Sequence, residues 1–151
     1  MLENFPRPFP APGLDPDVVN TPDAARHVES QLFEHVAARE GQARPIFILG
    51  SPRTGSTLLY QLLVVHYSLT YLSNFIADEY PETPSVGAWL ERCRGVAPPA
   101  SLQNRYGKTE GLAGPSEASS VFRNWFGGGH PSQIVSAHVL AGQIPHFLLS
   151  M

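Results

Sequence analysis

The chain has one cysteine in 151 residues, Cys93, so no disulfide can close within it and no thiolate-based zinc site can assemble. A single thiol fits a reducing compartment, and the cytoplasm is the expected location. Charge of either sign is sparse. Ten basic residues against thirteen acidic ones give a net charge of -3, the basic residues form no run, and Lys108 is the only lysine. Such a chain has no overall field to draw in a polyanion, and nucleic acid is not expected as its main partner. Long apolar runs are also missing. The longest mainly apolar stretch, Leu58 to Val65, is interrupted by Tyr60 and Gln61 and falls far short of the roughly 20 residues that cross a bilayer. No membrane span is expected. The opening MLENFPRPFPAPG has neither a basic flank nor a continuous apolar core, so it does not read as a secretory signal. His27, His35, His66, His130, His138 and His146 include no pair at ligand spacing, and no metal is expected.

What is present is proline, glycine and enough apolar residues for a core. With 42% hydrophobic and 15% charged residues, the composition is that of one globular domain. Pro6, Pro8, Pro10, Pro12 and Pro16 make residues 1–20 an expected extended arm, leaving 21–151 for the domain. Thr21 and Pro22 begin a helix on which Ala25, Val28, Leu32 and Val36 share a face, while Arg26, Glu29 and Glu34 should meet water. Thr83 and Pro84 begin another, with Val86, Trp89, Leu90 and Cys93 at core spacing. A third helix is expected from near Ser116, its Val121, Phe122, Trp125 and Phe126 assigned to core and Gly127 to Gly129 ending it. LTYLSN, residues 69–74, is a candidate short strand, and GVAPPAS, residues 95–101, is a loop. The segment from Ile134 is apolar and helix-like, with a break at Pro145.

The chemistry lies in FILGSPRTGSTLLYQLL, residues 47–63. Residues 45–50 read as a strand buried on both faces, and Leu58, Leu59, Leu62, Leu63 and His66 as the face of a following helix that packs on it. Between them, Gly50, Gly55 and Thr57 keep the spacing of a phosphate-binding P-loop, but Ser56 stands where that loop carries lysine. Without the lysine, triphosphate handling should suffer, whereas an anion nest made of backbone N–H groups at a helix start survives. Positive charge has moved to Arg53, whose planar fork suits phosphate or sulfate oxygens, with Thr54, Ser56 and Thr57 adding hydroxyls. A kinase or ATPase, or a non-catalytic binding module that keeps only the loop, remain alternatives on these residues alone.

PRTGST, residues 52–57, with the preceding ILG and the following LL, resembles the 5′-phosphosulfate loop of sulfotransferases that use 3′-phosphoadenosine 5′-phosphosulfate (PAPS). More loosely, SLTYLSN and GLAGPSEASSVFRNWFG, residues 111–127, look like the substrate-side segments of bacterial sulfotransferase-like proteins, although Ala118, Ser119 and Ser120 depart from the pattern after Gly-Pro. The resemblance implies an α/β fold like that of P-loop NTPases, with residues 45–50 as central parallel strand and 55–66 as the helix behind the anion loop. It implies PAPS as donor, held by Arg53, Thr54, Gly55, Ser56 and Thr57, and transfer of a sulfuryl group to a hydroxyl or amine of a small-molecule, glycan or lipid acceptor. A general base is required, and Glu117 is preferred over Asp78, Glu79 and His130 because it lies in the matching segment; its other reading is a first-turn carboxylate at a helix start. The family's 3′-phosphate site uses an arginine and a serine on later elements, whereas residues 130–151 contain no arginine; Arg105, Lys108 or Arg123 are the substitutes at hand. The expectation is an incomplete fold, the N-terminal part of a larger sulfotransferase-like protein that is a poor catalyst alone, unless a second subunit covers the apolar segment at 147–149.

Overall fold

The computed structural model describes residues 14–37, 46–51, 53–67, 69–95, 103–105 and 108–126. Within them the chain is mainly helical: α1 (Pro22–Ala37), α2 (Ser56–Tyr67), α3 (Asn74–Glu79), α4 (Pro84–Cys93) and α5 (Ser119–Trp125), with β1 (Asn104–Arg105) paired antiparallel to β2 (Lys108–Thr109). The expected glycine terminator, the segments 96–100 and 134–151, and His130 fall outside the described residues.

Two helices begin where the sequence signals place them. Thr21 Oγ1 accepts from the Ala24 N–H at 3.2 Å, Pro22 fills the first helical position, and Ala25, Val28 and Leu32 are buried. Pro84 opens α4, whose Val86, Trp89 and Leu90 complete that core together with Val19 and Phe75. A second cluster joins Ile76 and Ala77 of α3 to Ala118, Val121 and Trp125. The six-residue α3 is therefore the hub, with Phe75 turned to one cluster and Ile76 and Ala77 to the other. The strand expected over 69–74 does not form: residues 69–72 belong to no element and Asn74 opens α3. Ser73 Oγ accepts from the Ile76 N–H at 3.1 Å, and this cap turns the chain into helix, leaving a single bridge between Ser73 and Pro115 as the remnant of strand pairing.

Other departures share one cause, the identity of the neighbour. Pro16–Val18 form a 3₁₀ turn and Val19 is buried, so the described end of the proline-rich arm is docked rather than extended. Cys93 is exposed, because it ends α4 as the chain runs out into Arg94 and Gly95. The last helix starts at Ser119, three residues after Ser116, since Ala118 adopts φ 46° and cannot belong to it. Residues 46–50 form no strand and belong to no sheet among the described residues; Ile46 is 63% exposed and Leu49 91%. A parallel strand exists only through its neighbours, and the described segments supply none. The face of α2 that was to cover it, Leu58, Leu59 and Leu62, is about half exposed, and the buried residues of α2 are instead Gln61 and Val64.

The buried polar side of α2 ties it to the loop before α5. Gln61 Nε2 donates to Thr109 Oγ1 at 2.7 Å, and Asn74 Nδ2 donates to the Thr109 and Gly111 carbonyls. The Asn74 and Phe75 N–H groups donate to Gly114 O and Leu112 O at 2.9 Å, and the Ser116 N–H to Leu72 O at 2.9 Å. Tyr71 Oη closes the set on Ala113 O at 2.7 Å. Gly114 is obligatory here: a Cβ would lie 2.8 Å from Thr109 O and 2.9 Å from both Asn74 Nδ2 and Glu110 O. Two of those atoms are backbone and cannot swing aside, so Gly114→Ala should cost about 2–3 kcal/mol in denaturant unfolding. Gly111→Ala, strained only by its φ of 87° with open space at the Cβ, should cost about 1 kcal/mol.

Glu29 does not meet water as expected. It packs toward Ser85 of α4 with one carboxylate oxygen buried and unpartnered, and burial raises its pKa to about 7, the opposing pull of Ser85 being weaker. The folded chain therefore holds this proton between pH 4.5 and about 7 while the unfolded chain releases it, so stability falls as pH rises through that window. Glu29→Gln should leave the melting temperature unchanged at pH 4. At pH 8 it should raise stability by about 1–2 kcal/mol, a figure reduced for the partial exposure of the group.

Candidate functional site

The loop from Gly50 to Gly55 delivers the chain to the start of α2. Thr54 Oγ1 donates to Ser51 O at 2.7 Å, closing the turn from within. That hydroxyl lies against Gly50, where a Cβ would stand 2.8 Å from it, so a side chain at position 50 would displace the bond that shapes the loop. Arg53 (φ 64°) and Gly55 (φ 85°), on either side of Thr54, both take the left-handed conformation. The helix follows at once, its first full backbone bond running from the Leu59 N–H to Gly55 O at 3.0 Å. The N–H groups ahead of Leu59 have no acceptor within the helix, and with the helix dipole they favour an anion at this end. Arg53, exposed, adds a full positive charge and a planar set of donors.

The second segment comes from sixty residues further along. Thr57 Oγ1 donates to Glu117 Oε1 at 3.1 Å, which brings the preferred carboxylate to the loop's own threonine. Glu117 is placed by its neighbours: the Ser116 N–H is held by Leu72 O, Ser116 Oγ accepts from the Ala118 N–H at 3.1 Å, and Ala118 is 2% exposed in the α5 core. Ala118 is also left-handed. Among the described residues, Arg53 and Ala118 are the only non-glycine residues at positive φ, and they lie in the two segments that the Thr57–Glu117 bond joins. An alanine in this conformation costs of order 1 kcal/mol and persists only where surrounding contacts over-determine it. Glu117 precedes α5 and is not in its first turn; through Thr57 it sits instead at the start of α2, where a carboxylate meets the positive end of a helix.

The other candidate carboxylates are elsewhere. Asp78 and Glu79 border an open cleft of about 530 Å³ between α1 and the α3–α4 connection, lined also by Arg26, Tyr80, Glu82 and Thr83 and by no residue of the loop. Arg26 there is paired with Asp23 at 2.7 Å and Glu82 at 3.0 Å. No group of three or more His, Cys, Asp or Glu residues suited to a metal occurs among the described residues, and no described helix is long and apolar enough to cross a membrane. Sequence reading brought Arg53 through Thr57 together because they are contiguous. It could not foresee the Thr57 bond to Glu117, nor the Gln61–Thr109 bond that sets the spacing of the two segments, since neither has a local pattern.

No curated protein and no solved structure matches the chain. A family model described as "Sulfotransferase family" matches residues 45–121, just over half of the sequence and a span that contains the loop, α2, α3, α4 and Glu117. On that match the chain belongs to the sulfotransferase family.

Proposed function

We propose that the chain binds the phosphosulfate end of PAPS at residues 53–57 and transfers its sulfuryl group to a hydroxyl or amine acceptor, with Glu117 as the general base. The observation that carries this reading is the 3.1 Å bond from Thr57 to Glu117, which sets a carboxylate beside an anion loop that has no lysine. In the transfer step that carboxylate is the general base. In that step the acceptor oxygen or nitrogen attacks sulfur, and its proton passes to the Glu117 carboxylate. The bond between sulfur and the bridging phosphate oxygen breaks, and the electron pair leaves with adenosine 3′,5′-bisphosphate. The N–H groups at the start of α2 and the Arg53 guanidinium stabilise the charge on the departing phosphate. Family membership supports the same donor and a small-molecule acceptor; glycan and lipid alcohols carry the same nucleophile. The P-loop-like α/β fold belongs to this proposal too, with residues 45–50 as its central parallel strand and 55–66 as the helix behind the anion loop.

The test is transfer of labelled sulfate from PAPS by the purified chain to a panel of phenols, amines, glycans and lipid alcohols. Label appearing in one acceptor class supports the reading; phosphorylation of acceptors from ATP, with none from PAPS, would replace it with the kinase alternative.

A further inference from the structure

A helix brings residues three and four apart onto one face, and on α2 one such face carries Thr57, Tyr60 and Gln61. Each of the three spends its side chain on a polar contact far along the chain. Thr57 Oγ1 donates to Glu117 Oε1 at 3.1 Å, Gln61 Nε2 to Thr109 Oγ1 at 2.7 Å, and Tyr60 Oη to Leu72 O at 3.2 Å. Leu72 lies outside the Glu117 segment, yet its carbonyl also accepts from the Ser116 N–H at 2.9 Å. A carbonyl oxygen has two lone pairs, and here one meets α2 and the other meets the residue beside Glu117. Ser116 Oγ in turn accepts from the Ala118 N–H, so both neighbours of Glu117 are held. Burial raises the Tyr60 phenol above its ordinary pKa, and it stays protonated and able to donate.

We infer that Tyr60 is a positioning residue for the transfer reaction: its hydroxyl, through the Leu72 carbonyl, sets the main chain at Ser116 and with it the distance of Glu117 from the anion loop. The inference rests on the PAPS-dependent reading above and names what keeps its base in place. Tyr60 stands about one turn into the helix whose first N–H groups face the anion. Base and anion site are thereby referred to one rigid element. That element needs such ties, because Leu58, Leu59 and Leu62 of α2 are about half exposed and its buried residues are Gln61 and Val64. Without the Tyr60 bond, the next tie from α2 back along the segment is Gln61 at Thr109, eight residues before Glu117. Glu117 is exposed and has no packing of its own to restore its place.

The experiment uses the full chain as wild type, Tyr60→Phe, Glu117→Gln, the double variant and Tyr71→Phe. Affinity is read by calorimetry with adenosine 3′,5′-bisphosphate, and kcat as release of that bisphosphate from saturating PAPS with the acceptor that takes up label. Tyr60→Phe keeps the ring and removes the hydroxyl. It should leave affinity within about 2-fold of wild type and lower kcat by about 5- to 30-fold, the loss expected when a base is held less firmly. In the Glu117→Gln background the same change should alter kcat by less than about 2-fold, since the group being positioned no longer takes a proton. Tyr71→Phe removes a bond of the same kind, from Tyr71 Oη to Ala113 O at 2.7 Å, which involves no residue of α2. Its kcat should stay within about 2-fold of wild type. If Tyr60→Phe keeps full kcat, lowers it equally in both backgrounds, or is matched by Tyr71→Phe, then Tyr60 serves the fold alone and the inference is overturned, with the PAPS reading intact. A wild-type chain that binds no bisphosphate or transfers no sulfate overturns both.

Discussion

Replacing Arg53 with alanine should weaken binding of adenosine 3′,5′-bisphosphate by about 30-fold or more, the loss of roughly 2 kcal/mol that follows when a charge-assisted, two-pronged contact to an oxyanion is removed. Arg53 is the one basic residue in the loop that family resemblance and helix geometry both assign to the donor, and no lysine at position 56 shares its task. Its backbone offers a second, independent measurement. At φ 64° an arginine is strained where glycine is not. Arg53→Gly should therefore bind the bisphosphate as poorly as Arg53→Ala while unfolding at higher denaturant, more stable by about 1 kcal/mol relative to the alanine variant. Calorimetry and a denaturant titration on the two variants separate the side chain from the strain that presents it. Equal affinity in wild type and Arg53→Ala would place charge recognition outside the loop.

Glu117→Gln should leave bisphosphate affinity equal to wild type or slightly higher, because it removes a negative charge from the neighbourhood of an anion. Turnover from PAPS should fall by about 10²- to 10⁴-fold, the usual worth of a positioned general base. Glutamine keeps an Oε1 that can accept from Thr57, so the 3.1 Å bond and the path of the chain into α5 survive the change. A fall in turnover with melting temperature unchanged is then a chemical effect and not a loss of structure. Retention of full turnover would remove Glu117 from the reaction and reduce its bond to Thr57 to a tie between segments.

Much of the helical part was legible because helices declare themselves locally. Thr21 with Pro22, and Thr83 with Pro84, mark starts, and Val28, Leu32, Trp89 and Leu90 recur at the spacing of one face. The loop was legible for the same reason: its glycines, hydroxyls and arginine are contiguous, and its helix begins at Ser56. What failed depended on partners. Residues 45–50 are apolar enough for a central strand, but a strand is a relation between segments, and the described residues include no neighbour for it. The leucines of α2 were assigned inward by hydropathy, whereas the helix turns Gln61 inward, satisfied by Thr109 across 48 positions of sequence. Polarity alone cannot reveal that such a group will be buried, because hydrogen bonding offsets the cost only when the partner arrives. Glu29 is the converse, a carboxylate placed on the solvent side by periodicity and then covered by α4. Glu117 was chosen for its segment, and its contact with Thr57 adds the geometry that a sequence lacks.

The central claim is that an arginine-bearing loop without lysine, at the start of α2, is a site for the 5′ end of PAPS and not for a nucleoside triphosphate. Its most direct test is calorimetric titration of the wild-type chain with adenosine 3′,5′-bisphosphate and, separately, with ATP in the presence of magnesium. The account predicts a saturable isotherm of one site per chain for the bisphosphate, abolished or strongly weakened in Arg53→Ala, and little heat from magnesium-ATP. Saturable binding of magnesium-ATP with no response to the bisphosphate would contradict it.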